Sequence, residues 1–218
     1  MDTIRILVVD DHRLFAEAVA VRLAREPDFV ILPLAYDEKQ AIALLAEHTP
    51  DLLLLDVALG PGSGIAVLEH GRRAHPAARA LMLTAVDSVD QLEEAVRRGA
   101  TGWLPKTVDG DELVRAVRGV ARGQGWIPHD LLGGLLERLV AEPHDDASAM
   151  LARLTVRERE VFGFLVNGLS RAEIAERLFL SADTVRTHTQ NLLRKLEAHS
   201  VLEAVALGLR AGMRPSRD

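Results

Sequence analysis

The feature that most restricts this chain is a series of short apolar, β-rich runs alternating with helical patterns over its first 123 residues. Ile4–Val9 leads directly into Asp10-Asp11-His12, and four consecutive leucines, residues 52–55, lead directly into Asp56. Residues 29–34, 80–84 and 102–104 supply three more such runs. Between them, residues 13–26 carry apolar side chains at 14, 15, 18, 19, 21 and 23, a helical period. Residues 38–47, those from Val67 onward, 89–98 and 111–122 read the same way, and Ser88-Val89-Asp90-Gln91 offers a capping box. Strands that alternate with helices predict right-handed crossovers and an α/β fold with a doubly wound, five-stranded parallel sheet. A wholly apolar strand such as 52–55 suits a sheet covered on both faces.

The pattern breaks at Gly123-Gln124-Gly125. Residues 129–140 read as a short helix despite Gly133-Gly134, and the polar stretch 142–148, with Pro143, reads as a mobile linker. Beyond it the chain turns all-helical. Thr155-Val156-Arg157-Glu158 and Ser170-Arg171-Ala172-Glu173 are capping boxes, Ser181 is an N-cap for a third helix to about Glu197, and a fourth covers 201–211 before Gly212. Only Phe179-Leu180 separates the second and third helices, which predicts a tight helix-turn-helix. The reading is thus a first domain at 1–123, a linker with a short helix at 124–150, and a small all-α domain at 151–213.

Charge divides along the same line. Residues 151–218 hold 11 Lys/Arg against 8 Asp/Glu, a balance of +3, while the first 150 hold 15 against 24, a balance of −9. A mildly basic C-terminal piece is compatible with a polyanionic partner. The absence of cysteine excludes disulfides, thiolate metal sites and a cysteine nucleophile. No basic leader opens the chain and no apolar run approaches the ~20 residues of a membrane helix, so no membrane partner and a cytoplasmic location are expected.

In an open parallel sheet, ligands sit beyond the carboxyl ends of the strands. The residues expected there are Asp10, Asp11, Asp56, Thr84 and, just past the fifth strand, Lys106. A lone Asp at a strand end is commonly a helix N-cap and a lone lysine commonly a solvated one, but the five together form a specific chemical set. Clustered carboxylates repel unless a cation joins them, and Mg²⁺ takes carboxylates, waters and phosphate oxygens. The set suits phosphoryl transfer, in which positioning and charge neutralisation dominate. Asp56 would be the nucleophile and phosphoacceptor. Mg²⁺ would sit on Asp11 and Asp56 with Asp10 acting through water, Lys106 would pair with the phosphoryl group, and Thr84 would hydrogen-bond it. A dehalogenase-type phosphatase also uses an Asp nucleophile with Mg²⁺, but needs a second Asp two residues on, where Ala58 stands. A fold used without phosphorylation is the third reading.

In the third C-terminal helix, Val185, Leu192, Leu193 and Leu196 would face inward. The opposite face offers Arg186, Thr187, Gln190, Asn191, Arg194 and Lys195. Arg can read guanine bidentately, Gln can read adenine, and a Thr methyl can meet that of thymine. The same face is also what any solvated amphipathic helix shows.

The runs Val8-Val9-Asp10-Asp11-His12, Leu53-Leu54-Leu55-Asp56, Leu83-Thr84-Ala85 and Gly99-Ala100-Thr101-Gly102-Trp103-Leu104-Pro105-Lys106 resemble the receiver domain of two-component response regulators. Leu154-Thr155, Arg157-Glu158, Gly168-Leu169-Ser170, Glu173-Ile174-Ala175, Thr184-Val185-Arg186, His188 and Lys195-Leu196 resemble a LuxR-type helix-turn-helix. The pairing resembles the NarL/FixJ-type regulators, not a ligand-sensing LuxR-type protein. The resemblance implies a partner histidine kinase that phosphorylates Asp56, the carbonyl of Ala58 in the Mg²⁺ shell, and a switch through Thr84 and Trp103. It places Arg186, Thr187 and Gln190 against bases of double-stranded DNA and Thr184, Arg194 and Lys195 against phosphates. Six positions depart from the family pattern: Leu59-Gly60 stand where Met-Pro is usual, Trp103 where Tyr or Phe is, Thr107 where many relatives carry proline after the lysine, Arg171 where Asn is, and Val201 where Arg is. One helix-turn-helix with a balance of +3 makes few phosphate contacts, so phosphorylation is expected to favour a homodimer on paired half-sites. Release of the reader through residues 142–148 is the alternative. The stripe Val201, Val205 and Leu209 fits core packing and a dimer surface equally.

Overall fold

β1 (Ile4–Val9) is buried from Ile6 onward and is followed by α1 (Arg13–Leu23), β2 (Phe29–Ile31) and α2 (Glu38–Glu47). The all-buried β3 (Leu52–Asp56) runs into a two-rung hairpin, β4 (Ala58–Leu59) and β5 (Gly62–Ser63), and then α3 (Gly64–Ala74). β6 (Arg79–Thr84), α4 (Val89–Arg97), β7 (Gly102–Pro105) and α5 (Gly110–Ala121) complete the alternation. This is a computed structural model, and it describes residues 3–85, 88–141 and 147–213, excluding side chains within 140–149.

The five-stranded sheet is parallel throughout, in the order β2-β1-β3-β6-β7. Its core layer includes Ile6, Val8, Leu52, Leu54, Leu81 and Leu83, all but inaccessible to solvent. β2 is shorter than the expected 29–34, ending at Ile31. A single further bridge, Val9 to Ala35, continues the pairing. α3 starts three residues before Val67, because the Ser63 hydroxyl accepts from Ile65 N and caps it. The helices beside the sheet begin on side-chain caps where the sequence supplies them, at Asp37, Ser63, Ser88 and Asp109.

The unit built on this sheet extends through Pro128. Past α5 the chain returns to the open edge of β7: the Trp126 carbonyl accepts from Trp103 N at 2.7 Å, and Trp126 N donates to the Thr101 carbonyl at 3.3 Å. Gly102 keeps this approach possible, since a Cβ there would lie 3.3 Å from the Trp126 carbonyl and 2.7 Å from Leu81 Cδ1.

The second unit starts at His129 and is all helical: α6 (His129–Ala141), α7 (Ala147–Ala152), α8 (Val156–Val166), α9 (Arg171–Leu178), α10 (Ala182–Lys195) and α11 (Val201–Arg210). α8, α9 and α10 enclose Val161, Phe162, Ile174, Val185, Leu192 and Leu196. α6 packs on α11, with Leu135 and Leu139 buried, so this helix belongs to the helical unit rather than to a free connection. Within the expected linker, residues 142–146 lie outside the described residues. Of the α11 stripe, Val205 and Leu209 are partly buried against the helical core, while Val201 is not part of that cluster.

Candidate phosphoacceptor pocket and nucleic-acid interface

Three neighbouring parallel strands deliver the acidic pocket. Asp10 directly follows β1, while β3 ends in Asp56 and β6 in Thr84, with exposures of 0, 3 and 2 %. Lys106 follows β7, and its backbone N–H donates to the Thr84 carbonyl at 2.7 Å. The Lys106 ammonium stands 2.7 Å from both Asp10 Oδ2 and Asp56 Oδ2. Burial opposes its charge, yet the two carboxylates outweigh burial and hold the lysine above its ordinary range. Burial pushes the Asp56 carboxyl up; the Lys106 hydrogen bond offsets part of this, and neighbouring Asp10 adds to it.

Thus all five residues expected at the strand ends are near this one edge, and His12, absent from that reading, joins them. Ligand atoms of Asp10, Asp11, His12 and Asp56 all lie within 4.8 Å of one another. The His12 Nδ1 is 2.9 Å from Asp11 Oδ1, on a largely exposed ring. Asp11 Oδ1 is buried yet accepts no well-formed hydrogen bond. Three carboxylates with an underused buried oxygen fit a hard divalent cation.

The loop after Asp56 is held by its own geometry, although Gly60 stands where proline is usual. Gly60 takes a left-handed φ of 55°, closing the β4–β5 hairpin, and Ser63 N donates to Glu38 Oε2. Ala58 N donates to Asp56 Oδ1 at 3.2 Å. Gly64 is the residue that sequence reasoning missed: a Cβ there would lie 1.8 Å from the Asp56 carbonyl oxygen. Trp103, expected as the switch aromatic, is fully buried in β7, and its indole N–H has no hydrogen-bond partner among the described residues.

The second candidate surface lies on α10. Ser181 caps it, accepting from Thr184 N at 3.1 Å, and the two hydroxyls meet at 2.8 Å. Arg186, Thr187, Gln190 and Arg194 are exposed, with Arg186 Nε 3.9 Å from Asp183 Oδ1. The Thr187 hydroxyl donates to the Asp183 carbonyl at 3.0 Å. Phe179, in the tight turn, adopts φ 55° and is 96 % exposed.

Lys195, expected against phosphate, meets a carboxylate of its own domain. Its ammonium lies 2.6 Å from Oε2 of the buried Glu158, which also accepts from Thr155 N in the first capping box. Burial alone would lift the Glu158 carboxyl, but the bonds from Lys195 and Thr155 outweigh it and hold the group below its ordinary range. The inward turn has a simple cause. Lys195 precedes the buried Leu196, and its long stem lets the charge reach inward.

Comparison with known proteins identifies both domains. Residues 6–118, just over half of the chain, match the response regulator receiver domain, and residues 152–207 match the bacterial regulatory proteins of the luxR family. The chain therefore belongs to the two-component response regulators that join a receiver to a LuxR-type DNA-binding domain, the NarL/FixJ type. It is 31% identical over 222 residues to the transcriptional regulatory protein DegU of Brevibacillus brevis, covering 96% of this chain and 94% of that one. It is 32% identical over 195 residues to the DNA-binding transcriptional activator DevR/DosR of Mycobacterium tuberculosis, covering 88% of each. A LuxR-family two-component response regulator from Aurantimonas sp. SI85-9A1 superposes with a TM-score of 0.58 at 31% identity, over 64% of this chain and 99% of that one. Among the described residues no helix is long and apolar enough to cross a membrane.

Proposed function

We propose that Asp56 is the phosphoacceptor of this response regulator and that its phosphorylation by a partner histidine kinase controls DNA binding through α10. The observation that carries the reading is the Asp56 carboxylate, buried at the sheet edge and bridged through Lys106 to Asp10. An Asp56 oxygen attacks phosphorus as the bond from phosphorus to the donor imidazole nitrogen breaks, and the imidazole leaves with the electron pair. Lys106 moves its charge from Asp56 toward the new phosphoryl oxygens, and the Thr84 hydroxyl donates to one of them. Asp10, Asp11 and Asp56, with the Ala58 carbonyl, would hold Mg²⁺, which when bound offsets negative charge on the phosphoryl oxygens. Trp103 follows Thr84 as the switch.

On the reader, Arg186, Thr187 and Gln190 face bases, while Thr184 and Arg194 face phosphates. The Lys195 ammonium is engaged by Glu158, so its part is to brace α10 against α8. A phosphorylated homodimer places two copies of α10 on paired half-sites, gaining affinity that one copy lacks.

Incubation with Mg²⁺ and a small phosphodonor, read by intact mass, should add one phosphoryl group, and Asp56→Asn should add none. Labelling that persists in Asp56→Asn overturns the assignment. Sedimentation and DNA titration with and without a phosphoryl mimic then test the link, with a larger species and tighter binding expected.

A further inference from the structure

The ammonium of Lys106 has a third neighbour that the receiver chemistry above does not use. The ring of Phe15 lies beneath it, with Nζ 4.8 Å from the ring centroid. Two of its sides meet Asp10 and Asp56, and the aromatic face takes a further one. We propose that Phe15 is a positioning residue for phosphoryl transfer, holding Lys106 at the depth where it bridges Asp10 and Asp56. The proposal rests on the phosphoacceptor reading of this pocket.

The placement follows from the chain's course. β1 ends at Val9, Asp10 and Asp11 occupy the turn, and Phe15 is the third residue of α1. The segment that supplies two carboxylates thus also supplies the ring, on the first helical turn after them. Lys106 arrives from the opposite direction, after β7. Its stem borders a solvent-open recess of about 160 Å³, mostly apolar, lined by Phe15, Val19, Leu83, Pro105 and Leu113 with the charged Arg22 among them. Lys106 itself is largely buried, with 13% of its side chain exposed, and the attraction between a cation and the negative face of a ring strengthens on desolvation. A lysine stem has four rotatable carbons, and its charge would otherwise be free to settle lower against Asp10 or outward toward Asp11. The ring removes that freedom without adding a charge or a hydrogen bond that would compete with the incoming phosphoryl oxygens.

Simple packing is the rival explanation, since Phe15 also touches the core beneath the sheet. Ring fluorination separates the two, because it drains the face of negative potential while scarcely changing size. Phe15 is replaced in the full-length chain by its mono-, di- and trifluoro forms, and phosphorylation by a small phosphodonor with Mg²⁺ is timed. The rate should fall stepwise, to about one-third with one fluorine and about one-tenth with three, within the range open to a desolvated cation–ring contact. A flat series overturns the proposal. Independently, ring current should shift the Lys106 ε-methylene protons upfield in the unphosphorylated protein, and Phe15→Leu should return them to ordinary values. Unshifted protons overturn the contact itself. An unsubstituted chain that takes no phosphoryl group, yet shows the upfield shift, sinks the phosphoacceptor reading and with it the positioning role, while leaving the contact as a structural fact.

Discussion

In the receiver pocket Asp10, Asp56 and Thr84 are almost wholly buried, whereas Arg186, Thr187, Gln190 and Arg194 stand in solvent along one helix. Buried charge is costly, so the pocket needs neighbours that neutralise it, and those neighbours are part of the fold. The reader's polar groups cost little where they stand, and the fold beneath them scarcely depends on them. Function and stability should therefore be fused in the pocket and separable on α10. Lys195 shows where the contrast fails, because one basic residue of α10 turns inward and serves the core.

The sharpest attempt to break this contrast is Gly64→Ala. Its Cβ would meet a backbone oxygen that cannot step aside, so the loss should reach about 3 kcal/mol in thermal or denaturant unfolding, with phosphorylation impaired as well. A stable, normally phosphorylated variant would mean that the pocket is not rigid. Lys195→Met should be next, costing about 2–3 kcal/mol because Glu158 keeps a buried charge without its partner and Lys195 itself is partly exposed. The sign of the acid dependence is fixed. Glu158 titrates lower folded than unfolded, so its stabilisation is present above the unfolded value and is lost as pH falls through the folded one. In Lys195→Met that loss should shrink, which melting curves across the acid range would register; a parallel pair of curves would remove Glu158 from the account.

Arg186→Ala should leave melting unchanged and cost roughly 1–3 kcal/mol on the correct DNA site, relaxing preference at one base pair. If affinity falls equally on every sequence, Arg186 touches phosphate instead. Smallest of all should be Trp103→Phe. The lost ring volume destabilises, but an unpaired buried N–H disappears with it, so unfolding should move by less than about 1 kcal/mol. A larger loss would show that the indole N–H is satisfied.

The same contrast explains what could be read from the sequence. The strand ends were legible because continuous apolar runs stop abruptly at Asp10 and Asp56, and the capping boxes at Thr155 and Ser170 because local spacing alone makes them. Lys195 was not, since its partner lies 37 residues away and its place beside Leu196 looks the same whether its stem bends in or out. Gly64 and Phe15 were silent for another reason. One matters through an atom it lacks, the other through the face of a ring, which its place in the helical period of 13–26 does not reveal. The burial of α6 was hidden by Gly133-Gly134, which resemble a break, although Leu135 and Leu139 supply the apolar face.

The return of the chain along β7 bears on how the receiver could be isolated. A sheet edge with unpaired amides and carbonyls invites a strand from another molecule, and Trp126 occupies part of that edge with its own backbone. A receiver ended at Gly123 would leave the Thr101 carbonyl and the Trp103 N–H unpaired and ready to meet another strand. One ended at Pro128 would keep that part of the edge covered, so the choice of five residues should show in whether the isolated fragment stays single at high concentration.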